Sequence, residues 1–207
     1  MKLRVGSTAA VAIAALTVCA TSASAGVIVN AAPSCDAQPL SKPFLPWLDS
    51  AQYTPLRGGD FETGAAGWAL SGGAAVAPGN EPFQVAGPGT ASLAVPAGGS
   101  ATSPPICVGV EHPTLRFFAR RDSGGLLGLG LLQVEVLFRT NLGILDSLPI
   151  GVVGPTDGWR PTLPMTIVAN LLPLLSHERT AVAFRFTPLF GGDWSVDDIQ
   201  VDPYQRH

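Results

Sequence analysis

The chain has 207 residues, of which 46% are hydrophobic and 13% charged, a balance that excludes a disordered chain or a coiled coil. Twenty-four glycines and 19 prolines are too many breakers for long helices and lack the strict period of collagen. With 12 Lys and Arg against 15 Asp and Glu, the electrostatic footprint of a nucleic-acid binder is missing.

In chain order, the first element is a leader. Lys2 and Arg4 precede an uncharged stretch from Val5 to Ala20, and Ala23-Ser24-Ala25 completes an Ala-x-Ala cleavage site, the pattern of a secretory signal peptide over residues 1–25. The apolar run is too short to stay in a bilayer as a span. Leu16-Thr17-Val18-Cys19 departs from a lipoprotein box at Val18, where a small residue is needed. Cleavage removes Lys2 and Arg4 and takes the net charge from −3 to −5. The expected compartment is extracellular. No other segment reads as a membrane span in the mature chain, and the oligomeric state is left open. Cys35 and Cys107 are the two cysteines that remain, so a single disulfide is expected in the oxidising compartment. Closing so long a loop is worth about 4 kcal/mol in the chain-entropy account.

Residues 26–55 read as an extended arm tied down by that disulfide. Prolines at 33, 39, 43, 46 and 55 alternate with Phe44, Leu45, Trp47 and Leu48, and a solvated linker would not carry such apolar side chains. From residue 56 to 207 the pattern is one of short strands. Leu115, Phe117 and Ala119 alternate with Arg116, Phe118 and Arg120. Leu132, Val134, Val136 and Phe138 alternate with Gln133, Glu135, Leu137 and Arg139, and Val182, Phe184 and Phe186 alternate with more polar neighbours. Weaker strands are expected at 67–70, 74–77, 91–95, 148–153 and 163–168. Frequent Gly, Pro, Asn and Asp between them, with no amphipathic helix, predict an all-β antiparallel sandwich. In the last strand Trp194 and Val196 occupy even positions while Ile199 and Val201 occupy odd ones. Either a bulge at Asp197-Asp198 switches the inward face, or the strand is buried on both faces with two solvated aspartates at a sheet edge.

Gly58-Gly59-Asp60-Phe61-Glu62-Thr63-Gly64 followed by Gly67-Trp68 resembles the N-terminal strand of jelly-roll carbohydrate-binding modules and of the wider galactose-binding-like fold. Ala91-Ser92-Leu93, Thr156 to Thr162 around Trp159, and Phe184-Arg185-Phe186 with Gly192 to Val201 are similar to later strands of those modules, in the same order. The resemblance covers about residues 56–203. It implies a jelly roll, and a structural calcium held by Glu62 and Asp198 with Asp60 and Asp197 beside them, since calcium takes six to eight hard oxygen ligands. It also implies a glycan surface built from aromatic rings. Trp68, Trp159 and Trp194 match positions that pack in the core, which leaves Trp47, Tyr53 and Tyr204 as the candidates for ligand contact.

Catalytic signatures are missing from the sequence. Arg121-Asp122-Ser123-Gly124-Gly125 is a polar turn without the partners of a serine-protease nucleophile, and His112, His177 and His207 lack metal spacing. The expectation is a secreted noncatalytic module, not an enzyme, that binds a polysaccharide or cell-surface glycan. The alternative is a structural or protein-interaction sandwich without sugar affinity that uses apolar segments such as 124–132 and 168–175.

Overall fold

The computed structural model describes residues 38–109, 113–140, 142–167 and 179–203. The expected leader, Cys19, Cys35, the three histidines, Tyr204 and the apolar segment 168–175 lie outside the described residues.

Thirteen strands form two antiparallel sheets, as the alternating runs predict. They are β1 (Thr54–Pro55), β2 (Ala69–Ser71), β3 (Ala75–Pro78), β4 (Ala91–Val95), β5 (Ser100–Thr102), β6 (Ile106–Gly109), β7 (Thr114–Arg121), β8 (Leu131–Arg139), β9 (Leu145–Val153), β10 (Arg160–Pro161), β11 (Met165–Thr166), β12 (Arg179–Leu189) and β13 (Trp194–Asp202). One sheet runs β10-β7-β13-β4-β3, with β1 on β13 and β11 on β7; the other runs β2-β5-β12-β8-β9, with β6 on β12. Side chains of the two inner faces interlock into one core, to which β8 contributes Leu132, Val134, Val136 and Phe138 and β12 contributes Val182, Phe184 and Phe186. These are the phases that the alternation sets.

The strands missing from the sequence reading are short. β5 and β6 hold three and four residues around Pro104-Pro105, too few for a period to register, and the run expected at 163–168 pairs only at Met165–Thr166.

Residues 38–55 form a third layer on the outer face of the first sheet. Ser41 and Tyr53 exchange both backbone hydrogen bonds at 2.9 and 2.8 Å, which closes the arm into a loop, and β1 joins β13 with Thr54 opposite Val201. The loop presses Phe44 and Tyr53 onto Phe118 in a second apolar cluster. The expectation of a polar outward face on β7 therefore fails at Arg116 and Phe118, which are 4% and 0% exposed. Arg116 is satisfied inside this layer. Its Nε donates to the Thr162 carbonyl, its Nη1 pairs with Asp49, and its guanidinium lies 4.2 Å from the Phe44 ring centroid.

Along β13 the register slips by one residue. Asp197 faces Phe118 but Gln200 faces Arg116, the two-against-one count of a bulge. Asp198 takes a left-handed φ of 46°. The freed backbone of Ile199 is taken up by the chain after β1: Leu56 N–H donates to the Ile199 carbonyl and Ile199 N–H to the Gly59 carbonyl. Gly59 eases this crossing, because a Cβ there would sit 3.0 Å from the Leu56 carbonyl and 3.1 Å from Ile199 Cβ, so the neighbours would have to give by a few tenths of an ångström. Of the two readings of this strand, the bulge is present, and the strand is also buried on both faces with neither aspartate solvated.

Because the arm is seated through a fully buried ring, Phe44→Ala is expected to destabilise the folded chain by about 3 kcal/mol or more, read as a shift of the urea midpoint. An unchanged midpoint would mean that the arm is a removable appendage.

Candidate functional site

The site begins with the carboxylates that the bulge carries. Asp197 Oδ2 accepts from Glu81 N–H at 3.0 Å and its Oδ1 from Asp198 N–H at 2.9 Å. Glu81 in turn accepts from Phe83 and Val85 N–H, and Asp198 Oδ2 accepts from Ala86 N–H at 2.9 Å. At the far end Glu62 accepts from the N–H groups of Thr90 and Ala91, both at 2.8 Å, and from the Thr90 hydroxyl. Four carboxyl groups thus hold the connection from β3 to β4 by its backbone.

These contacts test the expected calcium site. Asp198 lies near Glu81 and Asp60, but Glu62 is turned to the loop amides, and among the described residues no three Asp, Glu, His or Cys side chains are grouped as metal ligands. Within the set Glu62, Asp198, Asp60 and Asp197, Glu62 and Asp197 each turn both oxygens to N–H or O–H donors. Burial pushes the Asp197 carboxyl up to about 8, with the Asp198 and Glu81 charges adding to the rise against its two N–H donors. Asp198 is raised by burial and by the Glu81 carboxyl against it. Protonation therefore relieves the crowded negative charge.

The pinned loop presents Phe83. Its ring meets Trp47 edge-on at 5.1 Å between centroids and Phe118 at 5.4 Å. Trp47, Phe83 and Trp159 line a cavity of about 480 Å³ together with Asp157, Gly158, Arg160 and Pro161. Trp159 is oriented from behind: the Arg120 guanidinium lies 5.1 Å from its ring centroid, and Arg120 is held by Asp122, which also accepts from the Ser195 hydroxyl at 2.6 Å. The side chains of Arg160 and Asp157 are in none of these pairings.

Of the ligand-contact candidates among the described residues, Trp47 lines this cavity and Tyr53 does not. Tyr53 is fully buried and donates its hydroxyl to Asp49 at 2.8 Å, so it cannot face a ligand; burial pushes its ionisation well above the usual tyrosine range. Trp68 and Trp194 are core residues as expected, whereas Trp159 is half-buried and lines the cavity. Phe83 was not singled out by the sequence. Its signal is a large ring after a proline in a loop otherwise poor in apolar groups. A second cavity of about 700 Å³ runs between β9 and β11, lined by prolines, Val152, Leu163 and Met165 and without an aromatic ring.

No protein-family model matches the chain, and no curated protein does. Solved structures match its fold. The N-terminal part of endo-1,4-β-D-xylanase 10B of Clostridium thermocellum, a family 22 carbohydrate-binding module with a GH10 module in complex with xylohexaose, superimposes with a TM-score of 0.50 at 15% identity, over 69% of this chain and 27% of that one. The chain thus spans about a quarter of that protein's length. The family 22 xylan-binding domain of Xyn10C from Paenibacillus barcinonensis gives 0.49 at 14% identity over 72% and 93%, and the TmCBM61 complex with β-1,4-galactotriose 0.43 at 17% over 70% and 95%. The chain has the jelly-roll sandwich fold found in carbohydrate-binding modules.

Asp197 gives a pH dependence of definite sign. Its folded-state value lies above the ordinary 3.8, so its contribution to stability is present in full at acid pH and is lost as the pH rises through about 8. The melting temperature is expected to fall between pH 5 and pH 9, equally in chelator and in millimolar calcium. A melt that calcium raises at pH 8 and chelator lowers would restore the metal.

Proposed function

We propose that the mature chain is a secreted, noncatalytic module that binds a polysaccharide through the cavity framed by Trp47, Phe83 and Trp159. One observation carries this reading: three rings from three distant segments converge on one open cavity, while Arg160 and Asp157 stand at its rim as polar groups for hydroxyls. A sugar ring offers an apolar C–H face to an aromatic platform and hydroxyls to its surroundings, and such mixed pockets are the general form of small-ligand sites. The fold is shared with the binding-module part of a two-module protein solved with xylohexaose, which supports a carbohydrate as the class of ligand.

The reading includes export by a leader over residues 1–25, and a disulfide between Cys35 and Cys107 that fixes the arm from which Trp47 projects. Support for the bridge comes from Gln38, whose Nε2 donates to the Cys107 carbonyl at 2.9 Å. Gln38 follows Cys35 by three residues in the sequence.

Retention of the purified mature chain on insoluble xylan, galactan, cellulose and cell-wall preparations tests the function. Saturable binding to one of them, competed by its soluble oligosaccharide, is expected, and Trp159→Ala is expected to weaken it roughly ten-fold or more by removing a stacking face without moving the melt by more than a few degrees. Failure to bind any polymer, or binding indifferent to Trp159→Ala, would pass the lead to the protein-interaction reading. For the bridge, non-reducing mass spectrometry should find the mature chain two protons lighter than its reduced form; free thiols at both cysteines would remove it.

A further inference from the structure

Where β10 pairs with β7, Arg160 lies opposite Ala119. The antiparallel register therefore sets Trp159 across from Arg120, and side chains of directly opposed residues share a face. The Arg120 guanidinium meets the Trp159 ring 5.1 Å from its centroid, within the range of a cation–π contact. Arg120 is itself fixed. Its Nε donates to Asp122 Oδ1 at 2.7 Å, and Asp122 Oδ2 accepts at 2.6 Å from the hydroxyl of Ser195 on the neighbouring β13. Ser195 is buried, so the chain of contacts that ends on an exposed cavity wall begins inside the sheet. The backbone of Asp122 is held too, in a tip where the loops after β7 and β12 join and from which Leu126, Leu127 and Phe190 project into solvent. In this double loop Leu126 N–H donates to the Phe190 carbonyl at 2.7 Å, and the N–H groups of Asp122 and Ser123 converge on the Asp193 carbonyl.

We infer that Arg120 is the positioning residue of the aromatic cavity: it fixes the plane of the Trp159 ring, so that a sugar meets a stacking face already set. The role rests on the polysaccharide reading of that cavity. Three features point to it. Trp47 is braced by Phe44, Phe83 and Phe118, and Phe83 by Trp47 and Phe118. Trp159 packs at the margin of the same apolar cluster but makes no ring-to-ring contact among the described residues, which leaves the guanidinium as the group that sets its tilt. Arg120 does not line the cavity, so its effect passes through the ring. Its charge is balanced by Asp122, which makes it a brace rather than a recognition group for an acidic sugar. A side chain ordered before the ligand arrives spares the complex the cost of ordering it, worth about two- to ten-fold in affinity for one such group.

Arg120→Met keeps the aliphatic stem and removes the cation, and two readouts test it. Without ligand, the acrylamide quenching of Trp159, taken as the part of the signal lost on Trp159→Phe, is expected to rise in Arg120→Met and to return toward the native value in Arg120→Lys. On the polymer that retains the native chain, Arg120→Met is expected to weaken retention about five-fold with the melting temperature within a few degrees. It should add nothing in the Trp159→Ala background, because a residue that acts through the ring has no effect once the ring is gone. Arg121→Met, one residue on, should leave both readouts unchanged. Unaltered quenching in Arg120→Met would overturn the inference, as would an equal change in Arg121→Met or an equal loss of retention with and without Trp159, which would make Arg120 a ligand contact. A native chain retained as well as its Arg120→Met variant leaves the polysaccharide reading standing and removes the positioning role. A native chain that no polymer retains removes that reading instead, and the quenching then decides the positioning alone.

Discussion

β13 is buried along its whole length, yet it carries two adjacent aspartates in its middle, and the organisation of the site follows from accommodating them. A buried carboxyl needs hydrogen-bond donors or a proton. The bulge places Asp197 and Asp198 where the connection from β3 to β4 can supply backbone N–H groups, and Glu81, itself buried, passes the same requirement along to Phe83 and Val85. Polar burial thereby dictates the path of a long loop that apolar packing alone would leave undetermined. The loop then delivers Phe83 against Trp47, so the shape of the cavity descends from the charges beneath it.

The arm solves the complementary problem on β7. Arg116 projects from the outer face of the sheet, and without the arm it would lie on open surface beside Phe118. The arm brings Asp49, whose carboxyl burial would raise, but which the Ala51 N–H, the Tyr53 hydroxyl and the Arg116 guanidinium hold below the usual carboxylate range. A buried ion pair adds little net stability unless its remaining hydrogen-bonding groups are satisfied. Here Thr162 takes the Arg116 Nε–H and Tyr53 meets Asp49. The pair fixes the position of the arm, and the Phe44, Tyr53 and Phe118 rings supply the apolar burial that holds it down.

Alternation made the inner faces of β8 and β12 legible, because a strand with one face in the core writes its period into the sequence. The same rule misread the outer face of β7: Arg116 looks like a solvated position until the arm is placed over it, and no local pattern announces a covering layer. The phase change from Val196 to Ile199 located the bulge, but the fate of its aspartates depended on a loop more than a hundred residues away. Glu81 and Phe83 were invisible for that reason. The resemblance of Gly58 to Gly64 to a known strand did not carry over locally: these residues form turns, with Phe61 in the core and the Glu62 carboxylate on the Thr90 and Ala91 amides.

The outer face of the first sheet and the neighbouring tip share their supports. Arg120 and Arg121 are adjacent at the end of β7, and the alternation of a strand sends them to different tasks: Arg120 lies behind Trp159 at the cavity, and Arg121 reaches the Gly128 carbonyl in the double loop. Asp122, the next residue, holds Arg120 by its side chain and the Asp193 carbonyl by its N–H. Three consecutive residues thus tie the aromatic cavity to the apolar tip through short, ordered contacts.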